Sequence, residues 1–256
     1  MRLRVATYNV NSIRSRLHIV IPWIRENEPD LLCMQETKVD DLNFPVKPFS
    51  EIGYKVVFRG SGGRNGVAIA SKGKLSDVKY GLFGRDSDRL IRGVYRGIHV
   101  VNVYVPQGRR IDSPYYQYKL RWLKDLRRLF EESYDPGWPV LLCGDMNVAP
   151  DPIDVYDPVR LRNHVDFHVD ARRAFKHLLS WGFIDLLRKH HPDERKYTFY
   201  DYRAPKAVER GIGWRVDHVL ATRALADRSL DCYVDLRPRL MERPSDHTIL
   251  VAEFEL

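Results

Sequence analysis

Short apolar runs that end on an acid or an amide recur along this chain. Val5-Ala6-Thr7-Tyr8 leads into Asn9, Leu31-Leu32-Cys33-Met34-Gln35 into Glu36, and Val140-Leu141-Leu142-Cys143-Gly144 into Asp145 and Asn147. Trp214-Arg215-Val216 leads into Asp217, and Pro244-Ser245 into Asp246 and His247. Runs of this length and composition predict strands at 3–8, 31–35, 54–58, 66–70, 92–96, 98–104, 139–143, 216–221 and 249–254. Gly62-Gly63 and Gly97 fall where hairpin turns are expected. Helical spacing is rarer. Leu17, Val20, Ile21 and Ile24 share a face over 17–27, although Pro22 should kink or delay that helix. Trp122, Leu123, Leu126, Leu129 and Phe130 do the same over 115–132, with Arg121, Lys124, Arg127 and Arg128 on the solvated side. A third helix is expected at 170–181, with Asp170 as N-cap and Gly182 at its end.

Helices falling between groups of strands predict an α/β chain in which two β-sheets pack face to face with helices outside. No low-complexity linker, long charge block or internal repeat divides the chain, so one domain over 1–256 is expected. Met1-Arg2-Leu3-Arg4 reads as the opening of a strand and lacks the apolar stretch of a secretory signal. No run approaches the length of a membrane span.

Charge changes the picture. The chain has 256 residues, 44% of them hydrophobic and 30% charged, with 42 Lys and Arg against 34 Asp and Glu, a net charge of +8. A basic chain whose acids gather at strand ends makes sense if those acids hold a hard divalent cation and the rest attracts a polyanion. Three cysteines, Cys33, Cys143 and Cys232, make no disulfide framework. Two of them sit inside apolar runs, which predicts a reducing, intracellular setting, cytoplasm and nucleoid or nucleus.

Strands deliver side chains to one sheet edge, so the strand-end residues predict one shared pocket. Asp145 and Asn147, two apart, reach the same side of an extended segment. Such an aspartate binds metal or accepts a proton from water, and the amide orients a phosphate oxygen, though both are also common loop residues. Glu36 is the natural carboxylate for Mg²⁺, which keeps several waters and takes one or two protein carboxylates. His247 suits donation to a phosphate oxygen, with Asp217 fixing its tautomer. With nine histidines in the chain, that reading leans on the neighbouring acids. Tyr104 ends another strand and puts a phenol where charge develops.

The ordered series of motifs resembles the exonuclease III family of apurinic/apyrimidinic (AP) endonucleases, within the endonuclease–exonuclease–phosphatase superfamily. It comprises Tyr8-Asn9-Val10-Asn11, Gln35-Glu36-Thr37-Lys38, Tyr104-Val105-Pro106, Gly144-Asp145-Met146-Asn147-Val148-Ala149-Pro150, Tyr197-Thr198-Phe199, Trp214-Arg215-Val216-Asp217 and Ser245-Asp246-His247, spanning residues 3 to 254. The resemblance implies a four-layer sandwich, two packed mixed β-sheets flanked by helices, as one catalytic domain. It implies a DNA-repair phosphodiester hydrolase using Mg²⁺, with Mn²⁺ as a substitute. Such an enzyme cuts double-stranded DNA 5′ to an abasic site and removes 3′ blocks or nucleotides. Glu36 would be the main metal ligand, with Asn9 and Asp246 near the metal. Asp145 would handle the water, Asn147 and His247 the phosphate, and Asp217 the imidazole, while the division of labour with Tyr104 stays open. Phe199, Trp214 and Val216 would line a pocket for the extrahelical sugar. Arg14, Arg64, Arg109 and Arg203 would grip the DNA backbone, and Gln107 stands where many relatives carry asparagine.

Secreted relatives resembling pancreatic deoxyribonuclease carry a histidine after the tyrosine–proline strand and use a disulfide. The segment Pro106-Gln107-Gly108-Arg109 has no histidine, which favours the repair branch. A monomer is expected. The alternatives are a broader nuclease or phosphatase of the superfamily, including one that cuts at deaminated bases, and a catalytically silent DNA-binding module.

Overall fold

In the computed structural model, residues 2–256 are described; Met1 lies outside them. The strands, in chain order, are β1 (Arg2–Asn9), β2 (Leu31–Gln35), β3 (Lys55–Arg59), β4 (Val67–Ser71), β5 (Ser76–Tyr80), β6 (Leu90–Tyr95), β7 (Ile98–Tyr104), β8 (Val140–Asp145), β9 (Phe183–Asp185), β10 (Asp217–Thr222), β11 (Ser229–Asp235) and β12 (Ile249–Glu255). The helices are α1 (Ile13–Asn27), α2 (Val46–Ser50), α3 (Pro114–Ser133), α4 (Val169–Leu179), α5 (Leu186–His190), α6 (Arg223–Ala226) and α7 (Arg237–Leu240).

The strands form two six-stranded sheets, ordered β11-β12-β1-β2-β4-β3 and β5-β6-β7-β8-β10-β9. Both are mixed, because β1–β2 and β7–β8 run parallel while their other neighbours run antiparallel.

Alternation along the central strands builds the layers. Val5, Cys33, Val100, Leu141, Cys143 and Val219 meet between the sheets. Ala6, Tyr8, Leu32 and Met34 face the other way, onto Ile19, Val20, Trp23 and Ile24 of α1. On the second sheet Val101, Val103, Leu142 and Leu220 pack on Trp122, Leu126 and Phe130 of α3 and Phe175 of α4. Helix, sheet, sheet and helix are the four expected layers. Central strands buried on both faces read as continuous apolar runs for this reason.

Differences from the expected elements have local causes. The three unread strands, β5, β9 and β11, each lie at the edge of a sheet. An edge strand has one partner and more water, so its sequence, as in Ser76-Asp77-Val78-Lys79-Tyr80, lacks an apolar run. The first helix starts earlier, at Ile13, and continues through Pro22. In α4 the N-cap is His168, whose ring nitrogen accepts from the Asp170 N–H, so Asp170 lies inside the first turn. Strand β8 runs on through Asp145. Gly144 sits at φ 136°, and a Cβ there would lie 2.1 Å from the Val103 carbonyl of the parallel neighbour. Glycine is required at that position because β8 comes so close to β7 there. Among the described residues no helix is long and apolar enough to cross a membrane.

Candidate active site

Register assembles the site. Tyr104 pairs with Asp145, and Asp145 with Asp217, so three candidate side chains stand in one row across β7, β8 and β10. Asn9 pairs with Gln35 at the facing end of β1 and β2. Each of these residues shares strand parity with a core residue between the sheets, such as Val5, Cys33, Val100, Cys143 or Val219. The polar ends therefore converge where the inter-sheet core opens.

Among the non-glycine residues here with left-handed backbone are Asn11 (φ 44°), Glu36 (φ 50°), Lys38 (φ 52°) and Asn147 (φ 48°). Asparagine tolerates this region well, and glutamate and lysine cost about 1 kcal/mol or more each. The cost is met by fixed partners, since Ser12 N–H donates to the Glu36 carbonyl (2.8 Å) and Lys38 N–H to that of Asn65 (2.8 Å).

The amide of Asn9 sits at the centre. Its Nδ2 donates to Glu36 Oε1 (2.9 Å) and to Asp145 Oδ2 (2.9 Å), while its Oδ1 accepts from the Asn11 N–H. One side chain thus ties the two sheets together through their carboxylates. Behind Asp145, His247 Nδ1 donates to Asp217 Oδ2 at 2.7 Å, and its Nε2 faces Asp145 Oδ2 across 3.8 Å. Asn147 N–H donates to Asp145 Oδ1 (2.8 Å), and its Nδ2 to the Val105 carbonyl (2.9 Å).

Burial and neighbours separate the protonation states. Burial, helped by Asp217 and Glu36, pushes Asp145 up to about 8 against the pull of His247 and Asn9. Burial draws His247 down, but Asp217 and Asp145 overrule it and raise the imidazole to about 10. Burial opposes the charge on Glu36 too, yet Lys38 and Asn9 hold that carboxyl below its ordinary value. Tyr104 is raised well above its ordinary value by burial and by the acids beside it, so its phenol stays protonated and can donate.

A pH dependence follows. The Asp145 carboxylate is gained as pH rises through about 8, and the imidazolium is lost as pH rises through about 10. If hydrolysis uses both forms, kcat/KM is a bell with its maximum between those values. A pH–rate series checks this, and a profile already falling above pH 7 would contradict it.

Two donor sets compete for a cation. Ligand atoms of Asp145, Asp217 and His247 lie within 4.8 Å of one another. The His247 ring is better explained as a held imidazolium, with Nδ1 already given to Asp217. The other set is all oxygen. Lys38 Nζ lies 2.8 Å from Glu36 Oε2 and also donates to Asn11 Oδ1, and Asn11 Nδ2 donates to Asp246 Oδ1 (2.9 Å). This corner already accommodates a positive charge in the form of an ammonium, and its hard oxygens suit Mg²⁺ or Mn²⁺. Asn9 turns its amide nitrogen, not its oxygen, toward Glu36.

A groove of about 460 Å³ leads from Glu36 past Lys38, Arg64, Arg89, Tyr104, Gln107, Arg109 and Tyr115. The Gln107 side chain is taken up locally, its Oε1 accepting from the Arg109 N–H. Arg109 lies over the Tyr115 ring at 3.9 Å. Arg14 is exposed on the first turn of α1. Arg203 is exposed and binds Asp201 through two nitrogens. On the other side of His247, half-buried Phe199 stands edge-on to both His247 (5.0 Å) and Trp214 (5.5 Å). Trp214 and Val216 belong to the same small apolar cluster.

Arg89 had no role in the sequence reading. It spans the groove wall, with its guanidinium 4.7 Å from the Tyr104 ring and bonds to Asn65 Oδ1 and the Tyr104 carbonyl. Asn11 and Lys38 belonged to quoted motifs without a role, although each follows a strand-end residue by two, the spacing that singled out Asn147.

Residues 6–247 match the model of the endonuclease/exonuclease/phosphatase family. The chain is 31% identical over 268 residues to the exodeoxyribonuclease III of Haemophilus influenzae, covering 99% of this chain and 100% of that protein. It superposes on a solved AP endonuclease from Archaeoglobus fulgidus with a TM-score of 0.98 and 60% identity, over 99% of this chain and 100% of that one. It superposes on the 3′ phosphatase NExo from Neisseria, solved bound to a product DNA hairpin, with a TM-score of 0.95 and 35% identity over the same shares.

Proposed function

Because the chain belongs to the endonuclease/exonuclease/phosphatase family, we propose that it is a DNA-repair nuclease that hydrolyses the phosphodiester 5′ to an abasic site, and processes 3′ ends, at one divalent-cation centre. The observation that supports this best is the 3.8 Å gap between Asp145 Oδ2 and His247 Nε2, with Asp217 behind the imidazole. No hydrogen bond closes that gap. A phosphate oxygen can enter on the His247 side and a water on the Asp145 side.

Water is the nucleophile in this reading. The three cysteines are buried in the core, and Ser245 Oγ donates to the Asn9 carbonyl at 2.7 Å. Phosphoryl transfer needs positioning and positive charge more than covalent help. Asp145 orients the water and takes its proton. His247, held by Asp217, donates to a non-bridging oxygen, and the Asn147 carboxamide and the Tyr104 phenol supply further hydrogen bonds. Glu36, with Asp246 across Asn11, would hold the cation, and their oxygen donors suit Mg²⁺. When bound, such a cation would polarise the phosphate and stabilise the departing 3′ oxygen.

Lesion choice rests on Phe199, Trp214 and Val216 beside the phosphate position. A sugar without a base fits where a full nucleotide does not, and its unstacking costs less. The basic groove with Arg64 and Arg109 would hold the flanking backbone without reading sequence. The test uses two matched duplexes, one with an abasic analogue. Cleavage on its 5′ side is expected to be at least about a hundredfold faster than at the intact position. Equal rates would discard lesion recognition and leave a general nuclease.

A further inference from the structure

Helix α3 turns a lysine inward. Lys119 is fully buried beside Tyr116, Trp122 and Leu123. A buried ammonium persists only where its N–H groups are answered. Here the acceptors are the carbonyls of Gln107 (3.1 Å), Asn147 and Val165 (2.9 Å), together with Asp166 Oδ1 (3.0 Å). Asp166 neutralises the charge, and its carbonyl accepts from the Ala149 N–H (2.7 Å).

Two of those carbonyls belong to segments that flank the phosphate position. Gln107 follows Tyr104 by three residues, and Asn147 follows Asp145 by two. Asn147 holds a left-handed backbone at φ 48°, which persists only when its surroundings fix it. The lysine stem contributes as well. Gly108 lies directly on it, and a Cβ there would come within 3.2 Å of Lys119 Cδ.

We propose that Lys119 is a positioning residue for hydrolysis, tying the Gln107 and Asn147 carbonyls to one point in the helical layer. This sets the direction of the Asn147 carboxamide. The inference rests on the reading that Asn147 acts on the phosphate.

A double-mutant cycle separates positioning from plain stabilisation. Lys119→Met is expected to lower kcat on the abasic duplex about thirtyfold and to leave KM within about threefold, at a temperature where circular dichroism shows it folded. In an Asn147→Ala background the same change costs less than about threefold in kcat, because the group it positions is gone. Unchanged kcat in Lys119→Met, or the full loss on top of Asn147→Ala, overturns the proposal. If the methionine variant does not fold, Lys119→Arg keeps the charge and alters the geometry. It is expected to lose about fivefold in kcat, again only when Asn147 is present. No loss, or one that persists without Asn147, overturns the proposal equally. Glu36→Gln runs alongside. Wild-type kcat in that variant defeats the reading of the site itself, whereas its loss beside fully active Lys119 variants defeats only this inference.

Discussion

Asp217→Asn is expected to lower kcat on an abasic duplex by about a thousandfold or more while KM changes little. The substitution is isosteric, and the Asp217 N–H keeps its bond to Thr198 Oγ1 (3.1 Å), so β10 is not disturbed. What changes is the 2.7 Å partner of His247 Nδ1. Asparagine can accept there through its oxygen, but it brings no charge. The largest influence raising the imidazole to about 10 is then gone, and burial draws it down. A larger share of the rings is then neutral and free to adopt the wrong tautomer, so Nε2 donates less reliably to a phosphate oxygen. The alkaline limb of the pH profile moves downward with it. Steady-state kinetics on the abasic duplex checks the prediction, and a loss below tenfold would show that His247 works without its acid.

Glu36→Gln is expected to have an effect of similar size, about a thousandfold in kcat, and a different signature. Glutamine preserves shape and can still accept from Asn9 Nδ2 through its oxygen, and the backbone bond from Ser12 N–H to the carbonyl of residue 36 still holds the left-handed turn after β2. It removes the one carboxylate that lines the open groove beside Tyr104. Cation affinity therefore falls, and part of the lost activity returns as Mg²⁺ or Mn²⁺ is raised to high concentration. Asp217→Asn shows no such return. Chelation of the wild-type enzyme is expected to abolish turnover, and added Mg²⁺ to restore it. Titrating the cation against both variants reads the difference. Equal cation dependence in the two would show that Glu36 is not the main ligand.

Much of this was legible in the chain because the central strands are buried on both faces. Leu141, Leu142 and Cys143 advertise a strand, and the first polar residues after them must lie where the core ends. The register that puts Tyr104, Asp145 and Asp217 in one row was not legible, since it depends on which strands pair. The edge strands β5, β9 and β11 were missed because their apolar stretches are no longer than three residues and are flanked by acids or serine.

Buried charge was the other blind spot. A lysine at position 119 reads as a solvated helix face, and only the fold reveals the carbonyls around it. Arg215 is the same case. It was quoted inside a motif without a role, yet it is fully buried against Asp154, Asp185 and His218, bracing the start of β10 between Trp214 and Asp217.

Crystals of the enzyme with product duplex and Mn²⁺, examined by anomalous diffraction, test the whole arrangement most directly. One peak is expected on the order of 2 Å from a Glu36 carboxylate oxygen, sharing a phosphate whose other oxygen accepts from His247 Nε2, with Lys38 displaced from Glu36. A peak enclosed by Asp145, Asp217 and His247, with Lys38 still seated on Glu36, would contradict the account.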